Sequence, residues 1–328
     1  MTRAVAIVIA RVGSIVIPPA VSVLFACAGA IALAAPTTPA APTTPAAVAA
    51  IARPDIADQR FRSNVALVTM NVAVRLNGSP ARGLQAVDFR LTDNDVEQRV
   101  ELTRVGAMPI DITLLIDTSG SMDGTLDHLR AQLLDVAKLV RHDDRIRLLT
   151  FADDVREVFG FRSGGSAPPL DTLAAGGWTS LYDALSLAFI HHPTFDRGHL
   201  IIVFSDGVDS SSTIDLKTLG ELTRRSDAVL DMFVIQPRQT RSRAMPSREA
   251  PEKPPVGAIA DLTGGATRFI RAGDDLPASF RDALDEFRRR YVLSYAMPAG
   301  SPGQWHDVKV TAKRPGNYEL RARRGYVQ

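Results

Sequence analysis

The sequence predicts an α/β fold: a doubly wound, mostly parallel sheet inserted in a small β-sandwich made from the N- and C-terminal flanks. Three observations carry this. From Ile110 to about residue 290, apolar strand-like runs alternate with helical periodicity, the grammar of a sheet covered on both faces. Before and after that stretch the period is two. Neither flank holds enough strands to be stable alone, so the two must pair with each other.

Residues 1–35 read as an export signal. Arg3 and Arg11 give a basic start, Val12 to Leu33 is largely apolar, and Ala32-Leu33-Ala34 fits a cleavage site. Pro18 and Pro19 interrupt the apolar run and argue against a continuous membrane helix. Two alternatives stay open. Leu24-Phe25-Ala26-Cys27 resembles a lipobox, which would place a lipid anchor on Cys27, and the segment can also stay uncleaved as an anchor. The expected location is periplasmic, cell-surface or secreted, with membrane contact only through this segment. Cys27 is the only cysteine, so cleavage after Ala34 leaves a chain without disulfides or thiolate zinc ligands.

Residues 36–54 are an Ala/Pro/Thr tract with a repeated Pro-Thr-Thr-Pro, an extended linker. Residues 55–107 are expected to hold the first sandwich strands. Val68, Met70, Val72, Val74 and Leu76 alternate up to the turn Asn77-Gly78; Val87, Phe89 and Leu91 alternate up to Asp93-Asn94-Asp95; Val100 and Leu102 resume. Residues 108–290 are expected to form the α/β domain. Its strands are Ile112–Ile116, Ile146–Phe151, Leu200–Phe204 and Leu230–Ile235. Its helical faces are Leu126/Leu129/Leu133/Val136/Ala137/Val140, Leu181/Ala184/Leu185/Ala188/Phe189, Leu216/Leu219/Leu222 and Phe280/Leu284/Phe287. Residues 237–255, rich in Pro, Arg and Ser, read as a surface loop. Residues 291–328 return to period two around the turn Pro315-Gly316-Asn317 and complete the sandwich.

The 328 residues are 45% hydrophobic, and 38 Lys+Arg nearly balance 36 Asp+Glu for a formal charge of +2. No field of one sign argues for nucleic acid. Arg288-Arg289-Arg290 reads as a solvated helix face. Oligomeric state has no signature in the sequence.

The chemistry lies in three polar segments, each where a strand feeds a loop or a helix begins. They are Asp117-Thr118-Ser119-Gly120-Ser121, Gly176-Gly177-Trp178-Thr179-Ser180 and Phe204-Ser205-Asp206-Gly207. Open α/β sheets bind ligands over the carboxyl ends of their strands. Asp117 and Asp206 supply two negative charges, and Ser119, Ser121 and Thr179 add neutral oxygens. Such donors suit a hard divalent cation, Mg²⁺ first, with Mn²⁺ or Ca²⁺ as alternatives. Five groups, some acting through water, leave one of six positions for an anionic oxygen from a partner's Asp or Glu.

These residues resemble the metal-ion-dependent adhesion site of von Willebrand factor type A domains, and the resemblance spans roughly residues 108–290 in strand, helix and motif order. It implies metal ligation by Asp117, Ser119, Ser121, Thr179 and Asp206. The serines would bind directly, and Thr179 and Asp206 directly or through water. It also implies metal-dependent binding of a protein partner, with Trp178, Met122 and Asp209 as candidate ligand contacts. Trp178 departs from the pattern, since a Gly is more usual there; it narrows the site mouth or offers a contact surface. Asp209 has a second reading, as a cap of Ser210–Ser212. The flanks, including Tyr291-Val292-Leu293-Ser294-Tyr295 and Trp305-His306-Asp307-Val308, resemble an exported subfamily best known from acidobacteria.

Two other functions compete with metal-dependent binding. One is an envelope scaffold or assembly factor whose metal is purely structural. The other is a hydrolase using Ser119 or Ser121. No Gly-x-Ser-x-Gly elbow surrounds either serine, and His128 is the nearest candidate base, so no enzyme is expected. His191-His192 reads as a helix end, and Gly164-Gly165-Ser166, without the Gly-Lys-Ser/Thr ending of a phosphate loop, as a connector.

Overall fold

A computed structural model describes residues 66–105, 108–163, 173–190, 197–236, 252–271 and 274–328. The export segment with Cys27, the linker, residues 55–65, Gly164–Ser166, His191-His192 and residues 237–251 lie outside the described residues. All described residues fall within one unit, Arg62–Gln328.

The first flank contributes β1 (Leu67–Leu76), β2 (Ser79–Pro80), β3 (Phe89–Asp93), β4 (Val96–Gln98) and β5 (Glu101–Val105). The middle contributes β6 (Ile110–Asp117), α1 (Leu126–Leu139), β7 (Arg145–Phe151), β8 (Val155–Ser163), α2 (Leu181–Phe189) and β9 (Gly198–Ser205). It continues with α3 (Leu216–Thr223), β10 (Val229–Gln236), α4 (Gly257–Leu262), β11 (Thr267–Arg271) and α5 (Leu276–Arg288). The second flank adds β12 (Tyr291–Ala296), β13 (Trp305–Ala312), β14 (Tyr318–Arg321) and β15 (Gly325–Val327).

The middle elements build a six-stranded sheet in the order β11-β10-β9-β6-β7-β8. All its pairings are parallel except β7 with β8. Every residue of β6 and β9 is buried, as continuous apolar strands covered on both faces require. Alternate residues serve opposite cores. Ile112, Leu114 and Ile116 pack with Leu129 and Leu133 of α1 and Phe280 and Leu284 of α5. Leu115, Ile201 and Val203 pack instead with Leu181 and Leu185 of α2, Leu219 of α3 and Ile259 of α4. Each such fully buried aliphatic side chain contributes about 1.5–3 kcal/mol.

The flanks form two antiparallel sheets, β14-β1-β12-β5 with β2 beside β1, and β15-β13-β3-β4. Each joins strands from both ends of the chain, because β1 pairs with β12 and β3 with β13. Their inner faces share one core of Met70, Val72, Phe89, Leu91, Tyr291, Leu293 and Tyr295 among others. The predicted fold class is therefore met, sandwich included. The Asn77-Gly78 and Asn94-Asp95 turns have positive φ at both central residues, the geometry of tight hairpins.

Several expectations fail in detail. Val87 is 78% exposed, because Ala86–Asp88 form a 3-10 turn and the inward alternation starts only at Phe89. The Asp88 carboxylate accepts the Gln85 N–H at 2.7 Å and fixes that turn. Of the run Arg288-Arg289-Arg290 only Arg289 is exposed, so the run is not a solvated face as a whole. Arg288 pairs with the buried Asp144 carboxylate, and Arg290, itself buried, donates to the Gly264 carbonyl at 2.8 Å. Within the α/β domain three elements were not anticipated: β8, α4 and β11. α4 is only six residues long, too short to show helical periodicity, and β8 and β11 are edge strands with mixed polarity.

Candidate metal centre

β6 ends at Asp117 on the carboxyl edge of the central sheet. The chain then takes an extended step at Ser119 and a 3-10 turn at Gly120–Met122. Met122 corrects its assignment as a ligand contact. Its side chain is 1% exposed and packs in the core with Ile116 and Leu126, pinning the loop from below. With the loop held there, the Ser119 and Ser121 hydroxyl oxygens lie 3.1 Å apart.

Asp117 is fully buried. Its Oδ1 accepts the Ser119 N–H at 2.9 Å, and its Oδ2 accepts the Ser205 hydroxyl at 2.6 Å. The Ser205 Oγ also accepts the Gly207 N–H at 3.0 Å, so one hydroxyl fixes both Asp117 and the entry to the Asp206 loop. Asp206 Oδ1 accepts the Val208 N–H at 3.0 Å, a local turn that orients its carboxylate. Burial pushes the Asp117 carboxyl above its ordinary value; the Ser119 and Ser205 donors oppose that, and the nearby Asp206 carboxylate adds to it. Desolvation and a like charge both disfavour the ionised form, and an added cation would reverse both.

The Gly176–Ser180 segment is tied down along its length. Gly176 N–H donates to the Thr118 carbonyl at 2.9 Å, and Gly120 N–H donates to the Gly177 carbonyl at 3.1 Å. Trp178 N–H reaches Asp153 Oδ1 at 2.8 Å, and Ser180 N–H reaches the Ala152 carbonyl at 2.9 Å. Thr179 is buried; its N–H donates to Ser210 Oγ at 2.9 Å, and its carbonyl accepts from Ser210 and Ser211. The loops bearing Ser119, Thr179 and Asp206 thus form one hydrogen-bonded frame. Gly177 sits at φ +79°, and a Cβ there would fall 2.2 Å from Asp153 Oδ2.

Of the remaining candidates, Trp178 is 69% exposed at the rim of this frame. Asp209 turns to protein groups: its Oδ1 accepts the Tyr182 N–H at 3.1 Å and the Ser212 hydroxyl at 2.5 Å, holding the first turn of α2. His128 meets Gln132 on the exposed face of α1. Sequence reasoning missed Asp153, Ser205 and Ser210 as supports. Ser205 could have been suspected from its place beside Asp206, but nothing in the sequence pairs it with Asp117. Among the described residues, no three His, Cys, Asp or Glu side chains gather as a metal site. The donor set here is rich in hydroxyls instead.

No curated protein shows a significant match to the chain. Among solved structures, a von Willebrand factor type A protein from Catenulispora acidiphila is 17% identical, with TM-score 0.46 over 81% of this chain and 75% of that one. BatB from Bacteroides thetaiotaomicron is 13% identical, with TM-score 0.40 over 54% of this chain and 98% of that one. The ArnB paralog VWA2 from Sulfolobus acidocaldarius is 10% identical, with TM-score 0.39 over 79% of this chain and 75% of that one. At these scores the likenesses carry no functional argument. A family model, the von Willebrand factor type A domain, matches residues 111–247. Domains of this kind are typically non-enzymatic protein-interaction modules and commonly bind a divalent metal. That match takes in the loops bearing Asp117, Thr179 and Asp206 and ends before α4, β11 and α5, so over residues 111–247 this chain is similar to the von Willebrand factor type A domain.

Proposed function

We propose that this is an exported protein whose domain holds a divalent cation at Asp117, Ser119, Ser121, Thr179 and Asp206 and uses it to bind an acidic side chain of a partner protein. The separation of the two serine hydroxyls carries the reading. Adjacent octahedral ligands at about 2.1 Å from Mg²⁺ lie about 3.0 Å apart, whereas Ca²⁺ at about 2.4 Å asks for about 3.4 Å. The Ser119 and Ser121 hydroxyls, hydrogen-bonded to each other at 3.1 Å, stand near the spacing of adjacent Mg²⁺ ligands. Asp117 and Asp206 supply the compensating charge, and a cation would offset the burial cost of an ionised Asp117. The bound cation would act as an electrophile for one further carboxylate oxygen, while Thr118, Gly120, Gly176 and Gly177 hold the loops through their backbone bonds.

The test is thermal unfolding of the full chain with Mg²⁺, with chelator, and in Ser119→Ala/Ser121→Ala. Mg²⁺ at a hundred times its Kd should stabilise the native protein by about 2.7 kcal/mol, and the double variant should not respond. An equal response in both proteins would reject the assigned ligands. Partner capture that persists in chelator, with the protein still folded, would leave only a structural metal.

A further inference from the structure

Trp178 and Val208 stand apart from the other exposed apolar side chains. They are 69% and 58% exposed, and they occupy the two loops that carry Thr179 and Asp206. A tryptophan left in water forgoes a large burial gain, and its backbone shows that the exposure is imposed. Gly177 before it sits at positive φ with no room for a Cβ, Trp178 N–H is held by Asp153, and Thr179 N–H is held by Ser210. These bonds fix the backbone that carries the indole. The Val208 N–H is likewise held by Asp206. Bonds from Ser210 and Ser211 to the Thr179 carbonyl lock the two loops together, so both side chains stand on one joined pair of loops.

From this rigid apolar rim we infer that the partner segment presents its carboxylate beside a large apolar side chain, which packs on Trp178 and Val208. The inference rests on the metal-binding reading above. A tryptophan has only two side-chain torsions to lose on binding, and it is enriched among residues that dominate interface energy. Apolar packing beside the cation would also exclude water, which strengthens the attraction between cation and carboxylate. The rim therefore sets specificity, and the cation supplies the charge requirement.

Selection from a displayed library of random peptides against the full chain, with Mg²⁺ and with chelator, tests this. Mg²⁺-dependent peptides should carry Asp or Glu next to Leu, Ile, Phe or Trp. Trp178→Ala should bind them at least ten-fold more weakly, about 1.4 kcal/mol, and should lose the apolar preference while keeping the acidic one. Both substituted side chains are exposed, so an unchanged unfolding midpoint certifies the Trp178→Ala and Val208→Ser proteins. Mg²⁺-dependent acidic peptides without apolar neighbours, bound equally by Trp178→Ala, would overturn this inference and leave the metal reading standing. Enrichment that ignores Mg²⁺ would overturn both.

Discussion

Glu286 offers the sharpest test of how the α/β domain and the sandwich hold together. It lies on α5, 6% exposed, and meets four arginines, three from other strands and one four residues further along. Arg75 of β1 is 2.8 Å from it, Arg268 of β11 3.5 Å and Arg290 3.9 Å, and Arg321 of β14 also pairs with it. Glu286→Gln keeps the shape and removes the charge. Removing one member of a buried ion pair costs about 3–5 kcal/mol, because the remaining charge is stranded. Here Arg75 and Arg321 are 39% and 31% exposed and can turn to water, whereas Arg290 is 2% exposed and cannot. The expected loss is therefore near the lower end, about 3 kcal/mol.

The pH dependence adds a second signature. The clustered guanidinium groups outweigh the cost of burial and hold the Glu286 carboxyl below its ordinary value of 4.5. A depressed folded-state pKa stabilises the protein above the unfolded value, and that contribution fades as pH falls through the folded one. The gap between wild type and Glu286→Gln should be constant from about pH 5.5 to 7 and shrink below about pH 4.5, measured by urea unfolding at each pH. Asp111, held low by Arg145 and Arg197 against its burial, is present in both proteins and cancels from the difference. A gap under 1 kcal/mol at pH 7, or one that does not shrink in acid, would refute the account.

Two further outcomes follow from the loop frame. Ser205→Ala strips a 2.6 Å donor from the buried Asp117 carboxylate and the acceptor from Gly207 N–H, and should cost about 1–3 kcal/mol in urea unfolding without added metal. An unchanged midpoint would mean that Ser205 does not carry that charge. Gly177→Ala places a Cβ against Asp153 at φ +79° and should lower stability by about 1–3 kcal/mol. A melting temperature equal to wild type would show that the loop relaxes freely.

The fold was legible because two periods alternate along the chain. The switch from period two to strand–helix alternation near Ile110, and back at Tyr291, marks sandwich and sheet even without contacts. Edge and short elements escaped because their burial comes from tertiary neighbours: β8 reads as neither apolar run nor clean alternation. Arg288 and Arg290 looked solvated because their partners, Asp144 and Glu286, become partners only through folding. The Asp117-to-Ser121 loop was visible as a cluster of oxygens. Met122 could not be assigned from the same stretch, since only the 3-10 turn decides which side chains point up and which point down. Asp153 and Ser205 stayed hidden for the same reason, as they meet Trp178 and Asp117 across the carboxyl edge of the sheet.

β5 and β12 are antiparallel neighbours, and Val105 faces Tyr291 at the point where the chain leaves and re-enters the sandwich. Seen from the sandwich, they are a hairpin whose turn is an entire α/β domain. The domain's entry and exit are thus sewn side by side, and a slip of one residue in β12 would turn its whole inner face to water. A pull on the inserted domain would draw β5 and β12 out together, so the shear would fall on the next ladder, where β12 pairs with β1 from Leu67–Ala296 to Val72–Tyr291.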